Sequence, residues 1–197
     1  MEIVIGITGA TGAVYGIRLL QVLRDAGVST HLVLSRSGAL TVQLETSWTV
    51  EEVKGLAAVV HKVGDIGAPV ASGSFRHDGM IVAPCSMKTL SGIVHSYADT
   101  LVVRAADVTL KERRPLVLVV RETPLHVGHL RLMTQAAEMG AVIFPPVPAF
   151  YAQPTTIDEL VDATVVRVLD QVGFELPTRR WEGTEQRLHG ATPTVED

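Results

Sequence analysis

The sequence predicts one α/β domain, a Rossmann-like (flavodoxin-like) parallel sheet with helices on both faces, and three observations predict it. Short β-rich runs alternate with helical stretches, the pattern left by strands joined through crossover helices. Each β-rich run is almost continuously apolar, as a strand buried on both faces has to be. The first run passes directly into a glycine-punctuated turn and a helix, the local order of a nucleotide-binding βα unit.

In chain order, strands are expected over residues 3–8, 30–35, 79–83, 116–120 and 141–144. Helices are expected over 13–26, 36–44, 50–60, 87–98, 101–112, 127–139 and 157–172. Thr49 with Glu52, and Thr156 with Glu159, have the spacing of a capping box and so start the third and the last helix. Gly140 and Gly173 stand where a helix hands over to the next segment. Residues 64–76 are rich in Gly, Ala and Ser and read as a long loop, a length that is often functional. The domain is assigned to 1–173, and 174–197 to a polar C-terminal arm expected to pack on a neighbouring subunit.

Composition narrows the function classes. With 47% apolar and 19% charged residues in a 197-residue chain, a full core can be buried. Seventeen basic against 21 acidic residues give a net charge of −4, which attracts neither nucleic acid nor an anionic membrane. No apolar run approaches the ~20 residues of a membrane span. Met1-Glu2 enters the first strand with no basic leader, and the single cysteine makes a reducing cytoplasm the expected location. Cys85 is the only cysteine, which excludes an internal disulfide.

Four segments carry candidate chemistry. Gly6-Ile-Thr-Gly9-Ala-Thr-Gly12 lies at a strand-to-helix turn, where backbone N–H groups can approach a phosphate at the positive helix end. A plain tight turn is the alternative, since the spacing is not G-x-G-x-x-G. The second strand ends Val33-Leu34-Ser35-Arg36 without the acid an NAD ribose requires, so a flavin phosphoribityl chain fits better. Pro84-Cys85-Ser86-Met87-Lys88-Thr89 leaves the third strand at the same edge. Cys85 there reads as a buried structural thiol, because no adjacent base activates it. Arg121 and Glu122 follow the fourth strand directly, suited to gripping an anion and moving a proton, or else to a surface ion pair. Lys111-Glu112-Arg113-Arg114 precedes that strand and reads as a solvated helix end unless one member points into a neighbour's cleft.

Two further clusters are given bland readings. Asp158 and Glu159 fall in a first helical turn, where acids favour the dipole, so they and Asp162 are not read as a magnesium motif. His126 and His129 lack a third ligand, and no metal is expected.

Thr8–Gly16, Pro84–Leu90, Arg104–Val108, Leu110–Leu116, Arg121–Pro124 and Phe150–Pro154 together resemble the UbiX-type flavin prenyltransferases, in uninterrupted order from about residue 2 to 182. The resemblance implies an enzyme that joins dimethylallyl monophosphate to N5 and C6 of reduced FMN. It implies a homo-oligomer, typically a dodecamer, with sites at subunit interfaces, and a UbiD-type decarboxylase as recipient of the prenylated FMN. Carried over residue by residue, it implies flavin contacts at Gly9, Ala10, Thr11, Ser35, Ser86, Met87, Lys88, Thr89 and Arg121. It implies prenyl-phosphate contacts at Arg104, Lys111, Arg121, Glu122, Tyr151 and Arg167, several reaching in from adjacent subunits, with Trp181 as a tail aromatic near the site. Glu122, Lys111, Thr11 and Glu45 are the implied catalytic residues. The family usually has Ser where this chain has Thr11, which keeps the hydroxyl and adds a methyl. An FMN-dependent decarboxylase of the cysteine-decarboxylase type is the alternative, and the Pro84-Cys85-Ser86-Met87 loop departs from that family's Pro-x-Met-Asn. A non-catalytic FMN carrier is the other.

Overall fold

In the computed structural model, which describes residues 1–176, strands and helices follow the expected order with one addition. They are β1 (Glu2–Ile7), α1 (Ala13–Asp25), β2 (Ser29–Leu34), α2 (Arg36–Glu45), α3 (Val50–Lys54), β3 (Val59–His61) and β4 (Gly79–Cys85). Then come α4 (Met87–Val94), α5 (Leu101–Lys111), β5 (Leu116–Val120), α6 (Val127–Glu138), β6 (Val142–Ile143) and α7 (Ile157–Asp170). All strand pairs are parallel, in the order β3-β2-β1-β4-β5-β6. The chain winds outward from β1 to β3, then returns to lay β4 on β1's other side. That reversal opens a crevice beyond the carboxyl ends of β1 and β4.

The period-2 geometry of a strand sorts the core into two layers. Ile3, Ile5 and Ile7 of β1 face one layer, with Ile17 and Leu20 of α1 and Val165 of α7. Val4 faces the other, with Met80 and Val82 of β4 and Leu101 and Val102 of α5. Ile3, Ile5 and Ile7 are wholly buried, a contribution of about 1.5–3 kcal/mol each. Phe174 and Leu176 pack on the first layer, carrying the chain past α7 onto its own core. The arm beyond residue 176, with Trp181, lies outside the described residues. Among those described, no helix is long and apolar enough to cross a membrane.

Both capping boxes form, Thr49 with Glu52 and Thr156 with Glu159. Gly140 takes a φ of 99° just past α6, as a left-handed helix exit requires. The expected single helix over 50–60 is corrected: α3 stops at Lys54 with Gly55 as its cap, and Val59–His61 forms an edge strand on β2. Two adjacent β-branched residues beside an open sheet edge pair more favourably than they extend a helix. The helix expected to reach residue 98 ends at Val94, and Ser96 takes a φ of 50°. The 64–76 loop includes a 3-10 turn at Pro69–Ala71.

Candidate active site

A cavity of about 550 Å³ lies at the carboxyl edge, in the range of small-molecule sites. Three helix N-termini converge on it: Ser35 to Ser37 at the start of α2, Ser86 to Thr89 at α4, and Asp99 to Thr100 at α5. Ser35 Oγ accepts from Gly38 N at 2.9 Å and Ser86 Oγ from Thr89 N at 3.3 Å, so two of the three ends are capped by hydroxyls. No side chain caps α5. Helix N-termini carry partial positive charge, and Arg36 and Lys88 add full charges to the same wall. Lys88 Nζ lies 3.6 Å from Asp99 Oδ2. Val102 and Val103 give the cavity an apolar wall. This combination fits a flavin nucleotide, with donors for a phosphate and a greasy face for a ring. Arg36, Ser37 and Thr100 were missed in the sequence reading. Thr100, one residue before an apolar-periodic helix, was the available signal.

Thr8 ends β1 almost wholly buried. Its Oγ1 donates to Pro84 O at 2.7 Å and accepts from Ser86 N at 2.9 Å, tying the first loop to the third. Gly9 leaves no room for a side chain, because a Cβ there would lie 2.3 Å from Ser37 Cβ. Ala10 is half-buried, while Thr11 stands exposed at the turn's tip. The expected phosphate seat at α1 is corrected by Glu45: its Oε2 accepts from Gly12 N at 2.7 Å and Ala13 N at 3.2 Å. A carboxylate from the end of α2 thus satisfies two amides of the α1 terminus, and the helix ends lining the cavity are those of α2, α4 and α5. The contact also sets Glu45 next to Thr11. Cys85 is buried, and burial pushes its thiol up to about 12, as a structural cysteine requires.

Arg121 and Glu122 emerge exposed after β5, with Arg121 N donating to Cys85 O at 3.3 Å beside Ser86. Glu122 Oε1 accepts from Thr123 N at 3.0 Å. Met87 lies partly buried against the second core layer. Gly9, Ala10, Thr11, Ser35, Glu45, Ser86 to Thr89, Arg121 and Glu122 therefore share the carboxyl edge. Arg104 lies in the first turn of α5 beside Val103 of the cavity wall, whereas Lys111 does not reach that edge within one chain. Lys111 closes α5 just before β5 begins, whereas Arg121 follows the other end of that five-residue strand. At ~3.3 Å per residue, roughly 16 Å of strand separates them. Arg167 lies in the last turn of α7, with Nη1 3.3 Å from Asp170 Oδ2. Arg104 leans against the 64–76 segment through Ala71 O. Tyr151 is partly exposed in the 3-10 turn Phe150–Ala152, between β6 and α7.

Both clusters make local bonds. Asp158 and Glu159 sit in the first turn of α7, and Asp162 is held by Arg18 at 2.6 Å. His126 Nδ1 accepts from Gly128 N at 3.0 Å and His129 N at 3.4 Å, capping α6. Among the described residues, no group of three His, Cys, Asp or Glu side chains is arranged to hold a metal.

A doubly wound parallel sheet with helix N-termini around a switch-point cavity defines a nucleotide-binding α/β protein, and hydroxyl-rich walls with Ser35 in place of an acid at the end of β2 suit a flavin. The Flavoprotein family model matches residues 1–169. The flavin prenyltransferase UbiX of Escherichia coli K12 is 60% identical over 186 residues, covering 92% of this chain and 98% of that protein. The crystal structure of a dodecameric FMN-dependent UbiX-like decarboxylase from Escherichia coli O157:H7 superposes with a TM-score of 0.90 at 54% identity, covering 93% of this chain and all of that one. A UbiX crystal structure in complex with FMN and dimethylallyl pyrophosphate gives 0.87 at 51% identity, covering 92% and 98%. The chain belongs to the UbiX-type flavin prenyltransferases of the Flavoprotein family.

Proposed function

We propose that this protein joins the dimethylallyl group of dimethylallyl monophosphate to N5 and C6 of reduced FMN, yielding prenylated FMN for a UbiD-type decarboxylase. The observation that carries the reading is the switch-point cavity with its three convergent helix N-termini, in a chain 60% identical to a flavin prenyltransferase. A structural relative was solved in complex with FMN and dimethylallyl pyrophosphate, which supports the pairing of a flavin with a dimethylallyl donor.

Ser35, Ser86 and Thr89, with the amides around them, hold the FMN phosphoribityl chain. When bound, the reduced flavin supplies the nucleophilic N5 and C6. Arg121 faces the prenyl phosphate from the same chain. Lys111, more than a strand length away from Glu122 within one chain, serves a neighbour's cavity, so the working unit is a homo-oligomer. Arg104 and Arg167 join it around the leaving phosphate, with Tyr151 donating a hydrogen bond. These donors stabilise the negative charge that builds on the phosphate as its bond to the allylic carbon breaks. Glu122 exchanges a proton with a phosphate oxygen, so the departing phosphate can take the N5 proton as the allylic C–O bond gives way to C–N, then give a proton to the prenyl double bond that is consumed as C6 bonds and loses its own. Glu45, bound to the α1 turn next to Thr11, orients the flavin edge together with it. No step requires a metal.

Anaerobic incubation with reduced FMN and dimethylallyl monophosphate, followed by mass spectrometry of the released flavin, tests the proposal. A flavin heavier by one C5 prenyl group is the expected result. Unmodified FMN with both mono- and diphosphate donors, and with longer prenyl donors, would overturn it.

A further inference from the structure

The segment leading into β4 is fitted to the basic edge of α5 at three points. Ala71 O accepts from Arg104 Nε at 3.1 Å, while Asp107 Oδ2 holds Arg104 Nη1 at 2.8 Å. Two sides of the guanidinium are thereby fixed, and the other N–H groups remain available. Arg114 bridges further along, with Nη1 donating to Phe75 O at 2.7 Å and Nη2 to Gly73 O at 3.0 Å. Between these anchors lies Gly73, packed against the Lys111–Glu112 ion pair. A Cβ on Gly73 would come within 2.1 Å of Glu112 Oε1 and 2.6 Å of Lys111 Nζ. Val70, wholly buried in the second core layer, pins the segment to the body of the protein.

The cations it holds are not buried with it. The Lys111 side chain keeps 47% of its exposure and that of Arg104 35%. Long basic side chains at a surface ordinarily sample many rotamers, at an entropic cost when a ligand fixes them. Here one backbone carbonyl, that of Ala71, and the carboxylates of Asp107 and Glu112 fix them in advance.

We propose that residues 69–75, together with Asp107, form a positioning device that pre-orients Arg104 and Lys111 for the prenyl phosphate bound by a second copy of this chain. The inference rests on the flavin-prenylation reading above. Its positioning residues are Gly73, whose lack of a side chain sets where the Lys111 ammonium lies, and Asp107, which sets the Arg104 fork.

Gly73→Ala tests this cleanly. Gly73 has no positive φ to strain an alanine, and the atoms its methyl would displace are the far ends of flexible side chains. The expected result is an unchanged melting temperature, an unchanged Kd for FMN, and kcat/KM for dimethylallyl monophosphate lowered ~10–100-fold, the scale set by a misplacement of about 1 Å. In a Lys111→Ala background the same substitution should add no further loss, because the group it misplaces is gone. Asp107→Asn, read by the same kinetics, carries the test through Arg104 should Gly73→Ala lower the melting temperature. Wild-type kcat/KM in folded Gly73→Ala, or a full additional loss on top of Lys111→Ala, overturns the proposal while leaving prenyl transfer standing. No prenylated flavin from the wild-type protein overturns both.

Discussion

Thr8 has one hydroxyl and uses it twice, as donor to Pro84 and as acceptor from Ser86, in a setting with almost no access to water. Replacing it with Val keeps the shape and leaves a buried N–H without its acceptor, a loss of about 1–3 kcal/mol. Thr8→Val is therefore expected to lower the urea midpoint and to weaken FMN binding in a fluorescence titration, while Thr8→Ser keeps both near wild type. Cys85 makes the opposite case, a reactive group made inert. With its thiol pushed up to about 12 by burial, native protein at pH 8 should not react with an aromatic disulfide reagent, and full reactivity should appear only on unfolding. Rapid labelling of the folded protein would contradict this. His77 adds a pH dependence whose sign follows from linkage. Burial first, then Arg114, holds it below its ordinary 6.5 against the pull of the Gly79 carbonyl. The unfolded chain thus binds the proton more readily, so the His77 contribution is complete above about pH 6.5 and is lost as pH falls below that value. Urea midpoints measured between pH 7.5 and 5 should fall, and less steeply in His77→Gln.

Among the elements, the contact between α2 and α1 decides how the first turn is built. Glu45 ends one helix and caps the other, with both Gly12 and Ala13 amides bound to one oxygen. Removing that carboxylate by Glu45→Ala is expected to reduce stability by about 1 kcal/mol, the worth of an N-cap, on top of any loss of turnover. Glu45→Gln keeps an acceptor oxygen, so comparing the two in thermal melts and in single-turnover assays separates the cap from the chemistry. This contact also marks where sequence reading runs out. Thr49–Glu52 and Thr156–Glu159 were legible because the partners are three residues apart and the geometry is local. Glu45 and Gly12 lie 33 residues apart, and nothing in either segment announces the other. The four long strands, β1, β2, β4 and β5, were legible because burial on both faces writes an apolar run, and the two-residue edge strand β6 was marked by Gly140 just before it. β3 was not, since three residues that pair only on one side carry too little pattern to outweigh a capping box just upstream; Gly55 was the unused stop signal. The same logic divides the candidate site. Residues at strand ends could be ranked from their position at the carboxyl edge, whereas Arg104 and Lys111 sit on a crossover helix, and only the proposed shared site gives Lys111 a place beside that edge.

At the scale of the whole molecule, the proposed mechanism has to absorb the separation of Lys111 from Glu122. β5 stands between them as a rigid spacer, buried along its full length by both core layers. No hinge within the strand can close the gap without unpairing β4 or β6, so one chain cannot bring both groups to one phosphate. A symmetric assembly can, because a rotation carries the amino edge of one copy against the carboxyl edge of another. The arrangement has a consequence that a site contained in one chain does not share. Lys111→Ala and Glu122→Gln should each abolish most turnover as pure oligomers, by different routes. Co-expressed in equal amounts, they form oligomers in which a subunit carrying intact Glu122 meets a neighbour carrying intact Lys111. With random assembly this juxtaposition arises in about a quarter of sites, so activity should recover to roughly a quarter of the wild-type rate. Mixing the separately purified oligomers without exchange of subunits should restore nothing. If the co-expressed protein, verified as mixed by mass spectrometry, stays as inactive as its parents, then Lys111 and Glu122 serve the same chain's chemistry or none, and the shared site is wrong.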